Sequence, residues 1–174
     1  MFWSCFAGVN LGPLFIFGKG GISSMDYIQV LTDGLLPFLE TLNGVNNTCD
    51  SDTIQVATVG NYIFQQDNAP IHTSAVTRAF FHQYHITVMD WPAMSPDLNP
   101  IENLWPIMKD KFYKKWKELG SNKPSQSAQA VEVYKEILQE VWKEGLNGVL
   151  KNLVRGMPKR IAEVIANKDG HCHW

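Results

Sequence analysis

Tyr62-Ile63-Phe64-Gln65-Gln66-Asp67-Asn68-Ala69-Pro70-Ile71-His72 reads as an apolar strand that runs straight into a carboxylate and then into a turn. Thr73 or Ser74 then starts a helix that reaches about Tyr84. Ile86-Thr87-Val88-Met89 makes another strand, ended by Trp91-Pro92. Strand, helix and strand in this order belong to an α/β layout. In α/β sheets functional groups collect at the carboxyl ends of the strands, where the backbone opens into a crevice. Asp67 stands at such an end. It is also an ordinary turn-forming Asp-Asn ahead of a helix, and the segment alone leaves both readings open.

Upstream, Phe2–Ala7 reads as an aromatic-rich strand and Pro13–Phe17 as a second one. The turn Gly8–Gly12 between them is short, which predicts an antiparallel hairpin. Ser24 is placed to cap a helix through Leu42, with Tyr27, Val30, Leu31, Leu35, Phe38 and Leu39 at helical spacing. Gly34 and Pro37 predict a break or kink in it. Residues 43–60 read as a surface loop with a short strand at Thr53–Val59. The order is β-β-α-β-α-β-α followed by further helices, an α/β layout with a mixed sheet.

Downstream lies Trp91-Pro92-Ala93-Met94-Ser95-Pro96-Asp97-Leu98-Asn99-Pro100-Ile101-Glu102-Asn103-Leu104-Trp105. Its prolines exclude regular structure up to residue 100. Asn99 is a good N-cap, Pro100 suits the first helical position, and Glu102 falls third. Glu102 therefore has a structural reading as a capping-box carboxylate. The helix runs from Pro100 to about Leu119. Residues 120–128 form a polar hinge, and two or three helices complete the chain, broken near Gly145–Gly148 and at Gly156–Pro158. The expected organisation is a core over 1–119, the hinge, and C-terminal helices over 129–174 belonging to the same domain.

The chain has 174 residues and 45% hydrophobic content, enough for one domain with a substantial core. No apolar run is long enough to span a membrane, and the first residues do not read as a signal peptide. Cys5, Cys49 and Cys172 are odd in number and far apart, which points to an intracellular, reducing setting rather than a disulfide framework. The sequon Asn46-Asn47-Thr48 is read as chance. Net charge is −2, but the charge is polarised. Residues 1–100 hold two basic and eight acidic residues, and residues 101–174 hold 13 basic and nine acidic ones. Lys109, Lys111, Lys114, Lys115 and Lys117, interleaved with Phe112, Tyr113 and Trp116, read either as a DNA-phosphate face or as a solvated helix face. Arg155, Lys159 and Arg160 form a second basic cluster. His171-Cys172-His173 looks ligand-like but reads as an unstructured tail.

Together, Gln-Gln-Asp-Asn-Ala-Pro-x-His at 65–72 and Trp-Pro-x-x-Ser-Pro-Asp-Leu-Asn-Pro-Ile-Glu-Asn-Leu-Trp at 91–105 resemble the signatures of mariner-like transposases. Thirty-four residues separate Asp67 from Glu102 (102 − 67 − 1), an interval similar to the family's. The opening Phe2–Phe6, the Met25-Asp26-Tyr27 helix and the Gly170-His171 tail are similar too. The resemblance implies a ribonuclease-H-like fold, with a mixed sheet flanked by helices. It also implies an Asp-Asp-Glu site that binds two Mg²⁺ or Mn²⁺ ions and performs DNA cleavage and strand transfer in the nucleus. Asp67 carries over as the second Asp and Glu102 as the Glu. Phosphodiester displacement needs an activated nucleophile and a stabilised leaving oxygen, and two ions about 4 Å apart serve both. Hard dications require oxygen ligands. DNA is the implied partner, with other transposase subunits a second one, and no membrane or small-molecule substrate is expected. Asn68, His72, Asp97 and Asn99 are expected to support the site.

The family's first Asp lies on an earlier strand, central in the sheet, and no residue of this chain matches it. Asp26 and Asp33 fall on a helix, the wrong element. The expectation is that the 174-residue chain, holding two of three carboxylates, binds metal poorly and does not cleave DNA. The alternative function is a non-enzymatic DNA- or transposase-binding remnant. A ribonuclease acting on RNA–DNA hybrids fits the fold but not the motifs.

Overall fold

The structure is a computed structural model that describes residues 1–18, 20–43, 62–119, 128–144 and 146–167. The expected strand at Thr53–Val59, Cys49, the sequon, residues 120–127 of the polar hinge and the His171–His173 tail lie outside the described residues. In chain order the elements are β1 (Phe2–Trp3), β2 (Phe6–Ala7), β3 (Asn10–Leu11), β4 (Phe15–Ile16) and α1 (Ser24–Val30). A π-helical segment (Leu31–Leu35) leads into α2 (Leu36–Leu42). Then come β5 (Ile63–Phe64), α3 (Ala75–Gln83), β6 (Thr87–Val88), a 3₁₀ turn (Pro96–Leu98), α4 (Pro100–Glu118), α5 (Ala128–Lys143) and α6 (Asn147–Ala166). The described residues group into two compact units, one within Met1–Ser4 and Phe17–Ser95, the other within Cys5–Ile16 and Pro96–Trp174.

In the first unit β5 and β6 pair in parallel, with Ile63 opposite Thr87 and Phe64 opposite Val88. The Met89 amide extends the ladder by donating to Phe64 O at 2.8 Å. The expected strand–helix–strand unit is thus present, with α3 as its crossover helix. The first helix is capped by Ser23, one residue earlier than expected. The Asp26 amide donates to Ser23 Oγ, and the Ser23 amide donates to Asp26 Oδ2 at 2.8 Å, which closes a capping box. The Ser23 amide, and after it the Ser23 hydroxyl that donates to the same Oδ2 at 2.7 Å, hold the Asp26 carboxyl below its usual range. Tyr27, Leu31, Leu35 and Leu39 are all buried. A four-residue repeat drifts about 40° per step around an α-helix. The π turn, in which the Leu36 amide reaches back to Leu31 O, takes back part of that drift. The irregularity expected from Gly34 and Pro37 therefore takes the form of a wide turn. Phe80, Phe81 and Ile86 add to the buried set.

The second unit is built on helices. Leu104, Met108, Phe112 and Trp116 line one side of α4 and join Ile137, Leu138, Val141 and Trp142 of α5 and Leu146, Leu150 and Leu153 around α6. Phe6, Leu11, Leu14 and Ile16 pack against this cluster. The hairpin is tighter than expected. β2 pairs antiparallel with β3, Phe6 opposite Leu11 and Ala7 opposite Asn10, because Gly8 takes a positive φ of 61° and closes the turn at once. Gly12 then passes so close to Cys5 that a Cβ there would stand 2.5 Å from its Sγ. Burial pushes the Cys5 thiol up to about 12. Trp142 Nε1 donates to Gly12 O at 2.9 Å and ties the hairpin to α5.

The break expected at Gly156–Pro158 is not formed. α6 runs unbroken through Gly156 and Pro158. Its buried residues Leu150, Leu153 and Arg160 lie on both sides of that point, and packing along the whole helix outweighs the missing proline donor. Helix α4 likewise continues through Pro106.

Candidate active site

Asp67 follows β5 at its carboxyl end, the position expected from sequence. Its Oδ1 accepts from the Ala69 amide at 3.0 Å and lies 2.5 Å from His72 Nδ1. Asp67 makes the turn bond expected of an Asp-Asn ahead of a helix, and it stands three residues past the end of β5 (67 − 64). Neither bond uses Oδ2, and the side chain is 59% exposed. The loop around it is fixed from several sides. Asn68 Nδ2 donates to Trp91 O at 2.8 Å, which joins the end of β5 to the residues after β6. The His72 and Thr73 amides both donate to Ala69 O. Thr77, fully buried, donates through Oγ1 to Ile71 O at 2.7 Å.

Two supports were not legible as such. Tyr27 of α1, 1% exposed, donates its hydroxyl to Gln66 Oε1 at 2.7 Å and packs its ring against that of His72, with centroids 4.5 Å apart. Gln66 Nε2 then donates to His72 O at 3.3 Å. Tyr27 stands 39 positions from Gln66, and neither its helical apolar spacing nor the Met25-Asp26-Tyr27 resemblance says anything of the hydroxyl.

Glu102 sits in the first turn of α4, exposed, after an N-cap at Asn99 whose side chain accepts from the Ile101 amide. The Asn99 amide, the group a capping-box carboxylate takes, donates to Pro96 O at 2.9 Å. The 3₁₀ turn thus gives the cap amide a backbone acceptor. A capping box is formed at Ser23–Asp26. Asp97 lies half-buried in the 3₁₀ turn. Buried Arg160 of α6 donates from Nη1 to Asn103 Oδ1, locking the residue beside Glu102. Arg160 is therefore an internal clamp and not part of an exposed basic cluster.

Of the lysines, Lys109 and Lys114 are exposed and Lys111 half-buried. Lys115 pairs with Glu140 at 2.8 Å and with Glu144 at 2.5 Å across to α5. The hydrogen bonds to these two carboxylates hold its pKa above the ordinary value, and the bond from Lys115 holds the Glu140 carboxyl below its own. Among the described residues no group of three or more His, Cys, Asp or Glu side chains is gathered as for a metal ion, and no helix is long and apolar enough to cross a membrane.

The family description "DDE superfamily endonuclease" matches residues 38–121, a segment that contains both Asp67 and Glu102. This chain carries a DDE endonuclease domain of the Tc1/mariner transposase type. It is 41% identical over 114 residues to the Tc3 transposase of Caenorhabditis elegans, covering 66% of this chain and 32% of that one. It is 31% identical over 172 residues to the Tcb2 transposase of Caenorhabditis briggsae (97% and 52%), and 30% over 165 residues to the Tc1 transposase of C. elegans (95% and 50%). The chain thus spans from about a third to half of the curated relatives it matches. The catalytic domain of Mos1 mariner transposase superposes with a TM-score of 0.65 at 16% identity, over 98% of this chain and 74% of that one. Mos1 catalytic domain with raltegravir and Mg gives 0.66. At that identity the likeness is one of fold, which is ribonuclease-H-like as expected.

Proposed function

We propose that this chain supplies Asp67 and Glu102 as two of the metal-binding carboxylates of a transposase catalytic domain that cuts and rejoins DNA using Mg²⁺ or Mn²⁺. The observation that carries the reading is the state of Asp67. It stands just past the carboxyl end of a parallel strand, one carboxylate oxygen is held by two donors, neither bond involves the other oxygen, and the side chain is more than half exposed. A hydrogen-bonded carboxylate of this kind suits a hard dication. Bound dications supply Lewis acidity toward the attacking and leaving oxygens. The chain's own residues hold and orient: Asp67 by its loop, Glu102 by the N-terminal turn of α4.

Lys109, Lys111 and Lys114 on α4 are proposed to meet DNA phosphates. Lys115 contributes less, because Glu140 and Glu144 already neutralise it. DNA is the proposed partner, other transposase subunits a second, and the nucleus the proposed compartment. Two carboxylates bind dications weakly, so the 174-residue polypeptide by itself is proposed to bind DNA without cutting it.

The test is a hybrid in which this chain replaces the matched region of the Tcb2 transposase, scored for element excision. Excision is expected, and Asp67→Asn or Glu102→Gln should abolish it. Excision that survives either change contradicts the assignment. For the polypeptide alone, Mn²⁺-dependent nicking of plasmid DNA that disappears in Glu102→Gln would overturn the claim that two carboxylates do not suffice.

A further inference from the structure

We infer that His72 is the positioning residue of the Asp67 carboxylate, and that its Nδ1–H bond to Oδ1 presents Oδ2 to a divalent cation. The inference rests on the metal-binding reading of Asp67 given above. A carboxylate only accepts hydrogen bonds, so at 2.5 Å from Asp67 Oδ1 the His72 Nδ1 carries the proton. The imidazole side chain is only 18% exposed, against 59% for the carboxylate it holds. Its orientation is imposed from behind. The Tyr27 ring packs on it at 4.5 Å, and Gln66, itself held by the Tyr27 hydroxyl, fixes the His72 carbonyl.

The Ala69 amide is the second donor to the same Oδ1. Two donors on one oxygen stop the carboxylate from rotating about its χ2 axis. They direct Oδ2 to one place, which a chelating site requires of a ligand on an exposed loop. Supports of this kind typically change metal affinity by about 10- to 100-fold when removed. A histidine that only packs, by contrast, needs no particular ring nitrogen protonated.

The chemistry separates two amide replacements. The Nδ2 of asparagine stands where histidine carries Nδ1, whereas the Nε2 of glutamine stands where histidine carries Nε2. His72→Asn therefore keeps the donor to Asp67 while losing the ring, and His72→Gln loses it. The 174-residue chain is examined by NMR. Ring nitrogen shifts read the tautomer, and Mn²⁺-induced broadening of the Ala69 amide reads metal at Asp67.

The expected wild-type protein has His72 protonated at Nδ1, and Asp67→Ala removes that preference together with the broadening. His72→Gln needs roughly tenfold more Mn²⁺ for the same broadening, and His72→Asn stays near wild type. The inference is overturned if His72→Gln broadens like wild type, if His72→Asn is as weak as His72→Gln, or if wild-type His72 is protonated at Nε2. An Ala69 amide that Mn²⁺ does not broaden in the wild type, or that broadens equally in Asp67→Ala, defeats the metal reading of Asp67 itself. Loss in Asp67→Ala with no effect of His72→Gln defeats only the role of His72.

Discussion

Asp67 and Glu102 are positioned by opposite means. Asp67 stands on a loop, and side chains hold it: His72 and the Ala69 amide on its own oxygen, then Gln66, Tyr27 and Asn68 one step behind. Glu102 stands on a helix that is fixed by backbone and core. Asn99 caps α4, Asn103 is clamped by Arg160, and Leu104 two residues on is fully buried among the aromatic residues of α4 and α5. The contrast has a physical origin. A loop has no repeating backbone bonds to fix it, so each polar group needs its own partner. A helix already has its bonds and needs only one buried face and a cap. Damage to the first unit should therefore show in ligand geometry, and damage to the second should show in stability.

The largest effect is expected at Trp142, which is 4% exposed, stacks on Trp105 and donates to Gly12 O. Trp142→Ala should destabilise the second unit by about 3–5 kcal/mol, a large part of an ordinary domain's stability. Urea unfolding followed by circular dichroism measures it. A loss below about 1 kcal/mol would mean that the α4–α5–α6 core does not hold Glu102's helix. Next is Gly12→Ala, whose Cβ meets Cys5 Sγ at 2.5 Å and Cys5 O at 3.0 Å. About 1–3 kcal/mol of overpacking is expected, and Gly12→Ala combined with Cys5→Ala should recover much of it in the same assay.

Asn99→Ala should cost about 1 kcal/mol through loss of the cap, read as a lower urea midpoint at unchanged slope. The smallest effect concerns the Lys115 network. Glu140 is held below its usual pKa, so its contribution is present above the unfolded value and lost as pH falls through the folded one. Lys115 is held above its usual pKa, so its contribution is present below the unfolded value and lost as pH rises through the folded one. Melting temperature against pH should dip slightly at both ends. Lys115→Met should flatten both dips; an unchanged profile would show that the network is solvated.

The β5–α3–β6 unit was legible because strand and helix periods alternate there with clear punctuation, and the position of Asp67 followed from it. The helix with its cap at Asn99 was legible for the same reason. Four things were not. The cap at Ser23 instead of Ser24 depends on which serine meets Asp26, a one-residue choice that spacing does not make. The continuity of α6 through Gly156 and Pro158 is a packing outcome, and local propensity argues against it. The Tyr27–Gln66–His72 support joins residues far apart in sequence, and the buried Arg160 looked like one of three surface cations. In each case tertiary contact decided, which no local pattern encodes.

The proposed function makes Asp67 and Glu102 ligands of the same metal ions. Mn²⁺ binding to the wild-type chain, Asp67→Asn, Glu102→Gln and the double variant, followed through the electron paramagnetic resonance of free Mn²⁺, tests it most directly. Two ligands of shared ions are coupled, so each single change should weaken binding about tenfold or more and the double change should be little worse than either. Binding that neither change alters, or losses that simply add as at two independent sites, would contradict the account.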